Sequence, residues 1–420
     1  MTSTQEALRE VFLGRQPILD ARQATIGYEL LFRSGRANRA DIDSRHAATA
    51  DVVCKAFAEL GLSTALAAQR AFINVDEDFL RDDALELLPP QQVVLEVDSA
   101  QSFTPAYLER CRELAGRGYA FCMVWSDEIG EGFNAIADLL GFAKIDSSPA
   151  LPAIYKALSQ RLRGNQARFI AARIETAEEM QRCARLGFDL FQGYYFAQPV
   201  VIEGRKLDPT TQGLIRAINL LGQDAQIADI EATFKHEPAL LANLLRLANS
   251  VGVGGGLSAR ITSIRNAVAV VGRRQLLRWL QLLLFYRPGT PVSRNPLLQL
   301  AALRGRLMEL LAERIHPSRR ELQDLAFITG LMSLMPAALG LSMTDILAQI
   351  AVAAEARLAL SRREGELGQL LELVERYDAN DQEGTAALLG QLDGRLGAGD
   401  LGGMLAQGIA WVQALDDSGH

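Results

Sequence analysis

The sequence predicts an α/β barrel followed by an all-α domain. Up to about residue 202, eight short β-rich runs alternate with amphipathic helical segments, which is typical of a closed α/β barrel. Beyond that point the apolar residues recur only with helical spacing. The chain has 420 residues, 49% of them hydrophobic, and a single core rarely grows beyond about 250 residues, so we expect two domains. A doubly wound sheet shows the same local alternation and stays an alternative for the first half.

The predicted strands are runs of β-branched and aromatic residues bounded by turn residues. They begin at Val11, Thr25, Ala71, Val93, Tyr119, Phe142, Arg168 and Asp189. Between most of them, apolar residues repeat at three and four, as they do on buried helix faces. In a barrel the carboxyl ends of the strands line the site. The polar residues at or near such ends are Glu29, Asn74, Glu96, Lys144, Asp146, Glu175 and Gln192.

The second half is predicted to be helical throughout. A connector, EGRKLDPTT, follows the last predicted strand, and long amphipathic segments then run to about residue 335. Pro238 suits the first residue of a helix, and the glycine-rich segment 252–256 suits the loop after one. We therefore place the domains at residues 1–203 and 204–420.

Composition excludes several classes of function. The net charge of −7 argues against nonspecific coating of nucleic acid or of an anionic membrane. The four cysteines form no CxxC pair, and no secretory leader or membrane span is predicted. We expect a cytoplasmic protein with reduced thiols and no membrane contact.

Seven short motifs in the first half, in order and over nearly 200 residues, resemble the EAL domain of cyclic di-GMP phosphodiesterases, a modified (β/α)8 barrel. They are QPIL, GYELLFR, INV, LEVD, KID, IET and QGYYFAQP. The second half resembles an HDOD domain, a helical relative of HD phosphohydrolases, through HEPALLANLLRLANS, ITSIRNAVAVVG and FITGLMSLM. The whole chain thus resembles the bacterial EAL-HDOD signalling proteins.

The resemblance implies a nucleotide site at the barrel mouth. EAL phosphodiesterases use Mg²⁺ or Mn²⁺, which oxygen ligands hold. By motif, Glu29 and Glu96 match metal carboxylates and Asn74 an amide ligand, while Arg33 matches a phosphate contact. The complete set of nucleotide-binding candidates is Gln16, Glu29, Arg33, Asn74, Glu96, Lys144, Asp146, Glu175 and Gln192. Strand-end hydrogen bonding is the alternative role for Asn74, Glu96 and Glu175, and an ion pair is the alternative for Glu29 with Arg33.

Acids that the family uses are replaced at three barrel positions. The paired aspartates of its DDFG motif fall on Val124 and Trp125, and the first glutamate of EGVE falls on Ala172. Trp125 is interpreted as filling the vacated metal pocket, with guanine stacking as the alternative. In the second half the His-Asp pair of HD enzymes falls on Ser333 and Leu334, which do not ligate a hard cation.

From these losses we expect no catalytic residue, no bound metal and no cofactor, and a catalytically inactive regulator. Mg²⁺ or Mn²⁺ is expected only if activity is retained. The alternative is a weakly active, metal-dependent cyclic di-GMP phosphodiesterase in which Asp127 or Glu128 substitutes for the missing acids.

A basic tract in the second half adds a partner prediction. Residues 238–308 hold ten arginines and no acid, whereas residues 351–420 hold twelve acids and five arginines. The arginines either pair within the helical domain or receive an acidic signalling protein such as a kinase or cyclase. The docking candidates are Arg265, Arg273, Arg274 and Arg278. No DNA-reading or RNA-reading motif accompanies them, cyclic di-GMP is a candidate ligand, and the resemblance allows a homodimer.

Overall fold

The computed structural model describes most of the chain. The described residues are 11–34, 53, 69–125, 133–148, 150–162, 164–198, 207–223, 225–234, 241, 244–245, 261–287, 290, 292–379, 381–392, 396 and 398–415. The chain divides into two compact units, the barrel unit and the helical unit. The barrel unit comprises Met1–Phe196, Asp378–Asn380 and Gly397–Ala406, and the helical unit comprises Ala197–Tyr377, Asp381–Leu396 and Gln407–His420. The predicted boundary after residue 203 lies outside the described residues and stays a prediction.

The barrel unit is a closed eight-stranded barrel in which the strands follow one another in sequence order. Strand β1 is antiparallel to both of its neighbours, β2 and β8, and all other pairs are parallel. The strands are β1 Val11–Asp20, β2 Thr25–Ser34, β3 Arg70–Asn74, β4 Val93–Asp98, β5 Ala120–Trp125, β6 Leu140–Asp146, β7 Arg168–Ala172 and β8 Leu190–Gln192. All eight predicted strands are confirmed, and so is the barrel.

The last strand ends earlier than its sequence pattern indicates. The run DLFQGYYF predicts a strand of eight residues, but β8 stops at Gln192 and Tyr195–Ala197 form a 3-10 helix. Gly193 has a φ of 146°, and a Cβ there would stand 2.0 Å from the carbonyl oxygen of Ile174. Only glycine fits a backbone so close to the neighbouring strand connection, and it turns the chain out of the sheet.

Helices lie between the parallel strands of the barrel. They are α1 Glu77–Arg81, α2 Pro105–Gly116, α3 Phe133–Ile136, α4 Leu151–Arg161 and α5 Ala177–Leu186. Local sequence explains the ends of α5: Thr176 and Glu179 form a capping box at its start, and Gly187 terminates it in the left-handed conformation. The predicted helix over residues 44–60 lies almost entirely outside the described residues.

The barrel interior is filled by one layer of side chains from alternate positions of the strands, as the period of two requires. This interior layer is Ile18, Phe72, Val94, Cys122, Phe142, Ile170 and Leu190. It is apolar and almost completely buried. Any site at the carboxyl ends of the strands therefore lies directly above this buried apolar layer.

The helical unit contains helices and no strand in its described residues, which confirms the predicted class. Its helices are α6 Pro209–Gly222, α7 Ile227–Phe234, α8 Ile264–Leu283, α9 Pro296–Ile315, α10 Arg320–Met332, α11 Met335–Leu339, α12 Met343–Gln349, α13 Ala354–Arg362, α14 Gly365–Asp378 and α15 Gln382–Gln391. A last helix, α16 Ala398–Ala414, is divided between the two units at Gln407. Helix α8 is broken at Gly272, whose φ of 80° and ψ of 165° are not helical.

Helices α9 and α10 cross with their backbones in contact. A Cβ on Gly330 would stand 2.7 Å from the carbonyl oxygen of Arg304 and 3.0 Å from the Cα of Gly305. Two glycines at the crossing thus set how closely these central helices approach. Among the described residues, no helix has the length and apolar character needed to cross a membrane.

Candidate functional site

Two residues beyond the interior layer, the same face of the strands reaches the barrel mouth, where it is polar on four strands and apolar on two. A step of two residues returns a side chain to the same side of a strand. This places six residues around the mouth: Asn74, Glu96, Val124, Lys144, Ala172 and Gln192. Four of them are predicted nucleotide-binding residues, and the structure therefore brings these four together.

Glu29 on β2 joins this group through hydrogen bonds to both sides. The Nδ2 of Asn74 donates to its Oε1 over 2.8 Å. The Nε2 of Gln192 donates to its Oε2 and also to the Oε1 of Gln16, the latter over 2.7 Å. Four residues that lie on four different strands are thus linked in one hydrogen-bonded chain.

Lys144 lies between two carboxylates below this chain. Its Nζ is 3.2 Å from the Oε2 of Glu29 and is also paired with the Oε1 of Glu96. Lys144 is 4% exposed and Glu96 is 1% exposed. A buried ammonium that touches two carboxylates offsets part of the cost of removing all three charges from water.

The two carboxylates titrate in opposite directions. Burial raises the pKa of Glu96 to about 8, with Lys144 opposing the rise and Glu29 adding to it. Burial also disfavours the charged form of Glu29, but Lys144 and the hydrogen bonds from Gln192 and Asn74 outweigh it and lower its pKa to about 2. Burial acts against the charge of Lys144, yet the two glutamates raise its pKa above the ordinary value. At neutral pH the mouth thus holds one ionised and one protonated carboxyl beside a fixed positive charge.

The candidate metal ligands at the mouth are oxygen atoms. Glu29, Asn74 and Glu96 present oxygen atoms, which Mg²⁺ and Mn²⁺ prefer. Both oxygens of Glu96 are buried, and its Oε1 pairs with the Nζ of Lys144, so a bound cation would share Glu96 with that ammonium. No group of three or more His, Cys, Asp and Glu suited to a metal occurs in the described part of the chain. The third oxygen in this set is therefore an amide rather than a carboxylate.

The replaced positions lie around the same mouth. Val124 pairs with Asp98 and Lys144 and stands at the level of the cluster, whereas Ala172 pairs with Asp146, two residues beyond Lys144 and nearer the rim. Strand alternation places Trp125 on the opposite face from Val124. Val124 thus has the inward position, which disfavours the interpretation of Trp125 as a filler of the metal pocket; that interpretation stays a prediction.

Several predicted residues stay untested. Asp127 and Glu128 lie outside the described residues, as does the side chain of Arg33. An ion pair between Glu29 and Arg33 therefore stays a prediction, and the described partners of Glu29 are Asn74, Lys144 and Gln192. Glu175 is exposed, and its backbone N–H donates to Glu179 at the start of α5 over 2.9 Å.

One residue at the mouth was missed in the sequence. Arg173 follows β7 directly, and its Nε is 3.1 Å from the Oδ2 of Asp146, a predicted site residue. Its φ of 56° is left-handed, which is rare for a residue with a side chain. The EGVE motif holds the overlooked signal: its first glutamate falls on Ala172, so its glycine, which adopts left-handed angles freely, falls on Arg173.

The helical unit has no metal-ligating pair at the predicted positions. Ser333 accepts a hydrogen bond from the Nη1 of buried Arg304 over 2.8 Å, and Leu334 is buried in the core. Arg304 also lies 3.6 Å from Glu375. A guanidinium therefore supplies the positive charge beside Ser333.

Three of the four docking candidates have ion-pair partners in the helical unit. Arg265 pairs with Glu231, Arg274 with Asp324, and Arg278 with both Glu309 and Asp324. These contacts favour the alternative in which the arginines pair within their own domain. The contact with a kinase or cyclase stays a prediction.

Comparison with known proteins gives the same two-part division. A model of the EAL domain matches residues 2–199, and a model of the HDOD domain matches residues 209–372. The chain is 27% identical to the uncharacterized protein YuxH of Bacillus subtilis (strain 168), over 91% of this chain and 94% of YuxH. It is 29% identical to the cyclic di-GMP phosphodiesterase CdgJ of Vibrio cholerae serotype O1, over 91% of this chain and 88% of CdgJ.

A solved structure described as the PaMucR phosphodiesterase in complex with c-di-GMP is similar to the barrel region. Its TM-score is 0.38 at 19% identity, and the match covers 47% of this chain and 95% of that one. A similarity of this size carries no argument about activity.

The expectation that the chain is not an enzyme is contradicted by these comparisons. The match to the EAL domain spans nearly all of the barrel, and a relative aligned over most of both chains is a named phosphodiesterase. The expectation rested on acids missing at three positions of two strands, whereas Glu29 and Glu96 from two other strands still pair with Lys144, and Asn74 from a third hydrogen-bonds to Glu29. The chain belongs to the EAL-HDOD proteins, with an EAL domain over residues 2–199 followed by an HDOD domain over residues 209–372.

Proposed function

We propose that this chain is a metal-dependent phosphodiesterase that hydrolyses cyclic di-GMP slowly at the mouth of its barrel. The observation that carries the proposal is the cluster in which Lys144 pairs with Glu29 and Glu96 while Asn74 hydrogen-bonds to Glu29. The relative CdgJ, named for this activity, supports the choice of substrate.

In this reaction water attacks phosphorus, a new P–O bond forms, and the P–O bond to one ribose breaks with transfer of a proton to the leaving oxygen. The product is a linear dinucleotide. A divalent cation, when bound, would supply positive charge for the phosphate and make water more acidic. Glu29, Asn74 and Glu96 would hold it.

The chain's own residues arrange the mouth for this chemistry. Glu29 stays ionised throughout the physiological range because its pKa is about 2, and it is therefore ready to bind a cation. Lys144 separates the two carboxylates and keeps a positive charge at the floor of the site. Gln192 fixes the orientation of Glu29 by donating a hydrogen bond to it, and Gln192 is itself held by Gln16, which accepts a second hydrogen bond from it. Preorganised charges of this kind lower a barrier without costly rearrangement.

Slow turnover is expected because Val124 and Ala172 contribute no oxygen to the mouth. Fewer carboxylates hold fewer cations, and less positive charge then faces the transition state.

The test is incubation of the full chain with cyclic di-GMP and Mn²⁺, with separation of the linear product by chromatography. Glu29→Gln keeps the shape of the side chain and removes its charge, so we expect product formation to fall at least about a hundredfold. Glu178→Gln makes the same chemical change at an exposed position on the first turn of α5 that has no part in the cluster, and it should leave the rate unchanged.

Absence of product from the unaltered chain at any Mn²⁺ concentration would refute the proposal. A Glu29→Gln variant that turns over as fast as the Glu178→Gln control would show that another site does the chemistry.

A further inference from the structure

We propose that Arg173 binds a phosphate of the dinucleotide from the rim of the barrel, as a substrate-binding residue at a position where the EGVE motif of the family has glycine. The inference rests on the proposed function, because it names a contact for the same substrate. Three observations lead to it, namely the level of Arg173 on the barrel, its backbone conformation and the charge around it.

Arg173 stands above the carboxylate cluster. Asp146 lies two residues beyond Lys144 on β6 and therefore on the same face, about 7 Å further toward the mouth. The guanidinium of Arg173 is anchored on Asp146, with the Nε 3.1 Å from the Oδ2. The positive end of Arg173 thus lies at the rim, one side-chain layer above the positive end of Lys144.

The backbone conformation of Arg173 is costly for an arginine. Its φ of 56° lies in the left-handed region, which glycine adopts freely and other residues rarely do. Strained conformations of this kind cluster where a side chain must be aimed for a function. The pairing of Arg173 with Asp146 does not offset the strain, because the arginine is 79% exposed and Asp146 41% exposed. A stabilising role therefore does not explain the arginine.

Charge supplies the chemical reason for a cation at this place. Arg173 directly follows Ala172, which pairs with Asp146 at the edge of the mouth and brings no carboxylate. The two phosphates of a cyclic dinucleotide lie apart, so one divalent cation beside Glu29 and Glu96 would contact one of them and leave the other to a group elsewhere at the mouth. A guanidinium has five donors in a planar fork that matches phosphate oxygens, and Arg173 faces Asp146 through its Nε. Arg173 can therefore keep Asp146 and still contact a phosphate.

Substitution by glycine separates binding from folding. Arg173→Gly removes the guanidinium and relieves the left-handed conformation, so its melting temperature should be no lower than that of the unaltered chain. We expect the KM for cyclic di-GMP to rise at least about tenfold, with kcat changed by less than about twofold, because the contact is made in the bound substrate as well as in the transition state. Arg173→Lys should recover part of the affinity, since it restores the charge without the fork.

Arg185→Ala is the matched control. It removes one arginine charge from the same β/α unit, on the exposed last turn of α5, and should leave KM unchanged. A KM that rises equally in this control would assign the effect to net charge and overturn the proposal.

Calorimetric titration of the full chain with cyclic di-GMP in EDTA distinguishes failure of this inference from failure of the proposed function. If the unaltered chain binds the dinucleotide without cleaving it, the proposed function fails, but a tenfold weaker Kd for Arg173→Gly still supports the contact. If the chain cleaves the dinucleotide and Arg173→Gly matches it in KM and Kd, the inference alone is overturned. If the chain neither binds nor cleaves it, both are overturned.

Discussion

The stability of the barrel unit should fall as the pH rises from 6 to 8 in the absence of metal, and Glu96→Gln should abolish that fall. Burial raises the pKa of Glu96 from 4.5 to about 8, and its side chain is fully buried. The folded barrel therefore binds this proton more tightly than the unfolded chain does, and it loses stability between the two pKa values. At about 1.36 kcal/mol per pH unit, with the slope flattening near pH 8, the loss between pH 6 and 8 is about 2 kcal/mol.

The charges of Glu29 and Lys144 do not change between pH 6 and 8, so they add nothing to the predicted fall in stability. The pKa of Glu29 is lowered to about 2, so the stability that Glu29 contributes is complete above about pH 4.5 and constant from pH 6 to 8. The pKa of Lys144 is raised above its ordinary 10.5, so its charge is constant there as well.

Urea unfolding in EDTA at pH 6, 7 and 8 measures the effect. Trp279 and Trp411 lie in the helical unit, and their replacement by phenylalanine leaves Trp125 as the reporter of the barrel. If the free energy of unfolding depends on pH equally in the unaltered barrel and in Glu96→Gln, the raised pKa of Glu96 is refuted, and so is the argument that burial raises it. Glu178→Gln, an exposed change of the same kind, should keep the slope of the unaltered chain.

Three further predictions concern the metal, a helix crossing and a helix cap. Mn²⁺ should raise the melting temperature of the unaltered barrel, and Asn74→Leu should remove most of that rise because it deletes one of three oxygen donors. The fluorescence of Trp125 measures both melting temperatures. If Mn²⁺ raises the melting temperature of Asn74→Leu as much as that of the unaltered chain, Asn74 is not a metal ligand. Gly330→Ala should cost the helical unit about 1–3 kcal/mol in urea unfolding, since its Cβ meets backbone 2.7 Å away, whereas Gly390→Ala, with nothing within 4 Å, should cost nothing. Asn295→Ala should cost about 2 kcal/mol by the same measurement, because this buried side chain caps α9 and also donates to the carbonyl oxygen of Phe285; a loss below about 0.5 kcal/mol would contradict the double role.

The architecture of the barrel was predictable because its local signals agree. Every strand from β3 to β7 is a short apolar run, and the pattern of these runs is enough to place Asn74, Glu96 and Lys144 at or near strand ends. The reversed direction of β1 was not predictable from the pattern, since alternation is the same whichever way a strand runs. The early end of β8 depends on the close approach of Ile174, which is a tertiary contact.

The candidate site was predictable as a set of residues but not as a set of contacts. Motif matching named Glu29, Glu96 and Lys144, yet it offered Arg33 rather than Lys144 as the ion-pair partner of Glu29. The difference arises because Lys144 and Glu29 meet across the barrel and lie far apart in sequence. The inference from absent acids to absent catalysis failed for a related reason, because residue identities at single positions do not show which other groups converge.

The antiparallel first strand has a consequence for how the protein is made. The hydrogen bond between Gln192 and Gln16 spans 176 residues, and β1 is the element that closes the sheet on both sides. A ribosome that adds about 5–20 residues per second needs roughly ten seconds or more to synthesise the partner that completes this seam. Until then the growing sheet has unpaired strand edges, with which other chains can form hydrogen bonds and aggregate. Chaperone supply should therefore limit the yield of this protein more than the stability of its folded state does.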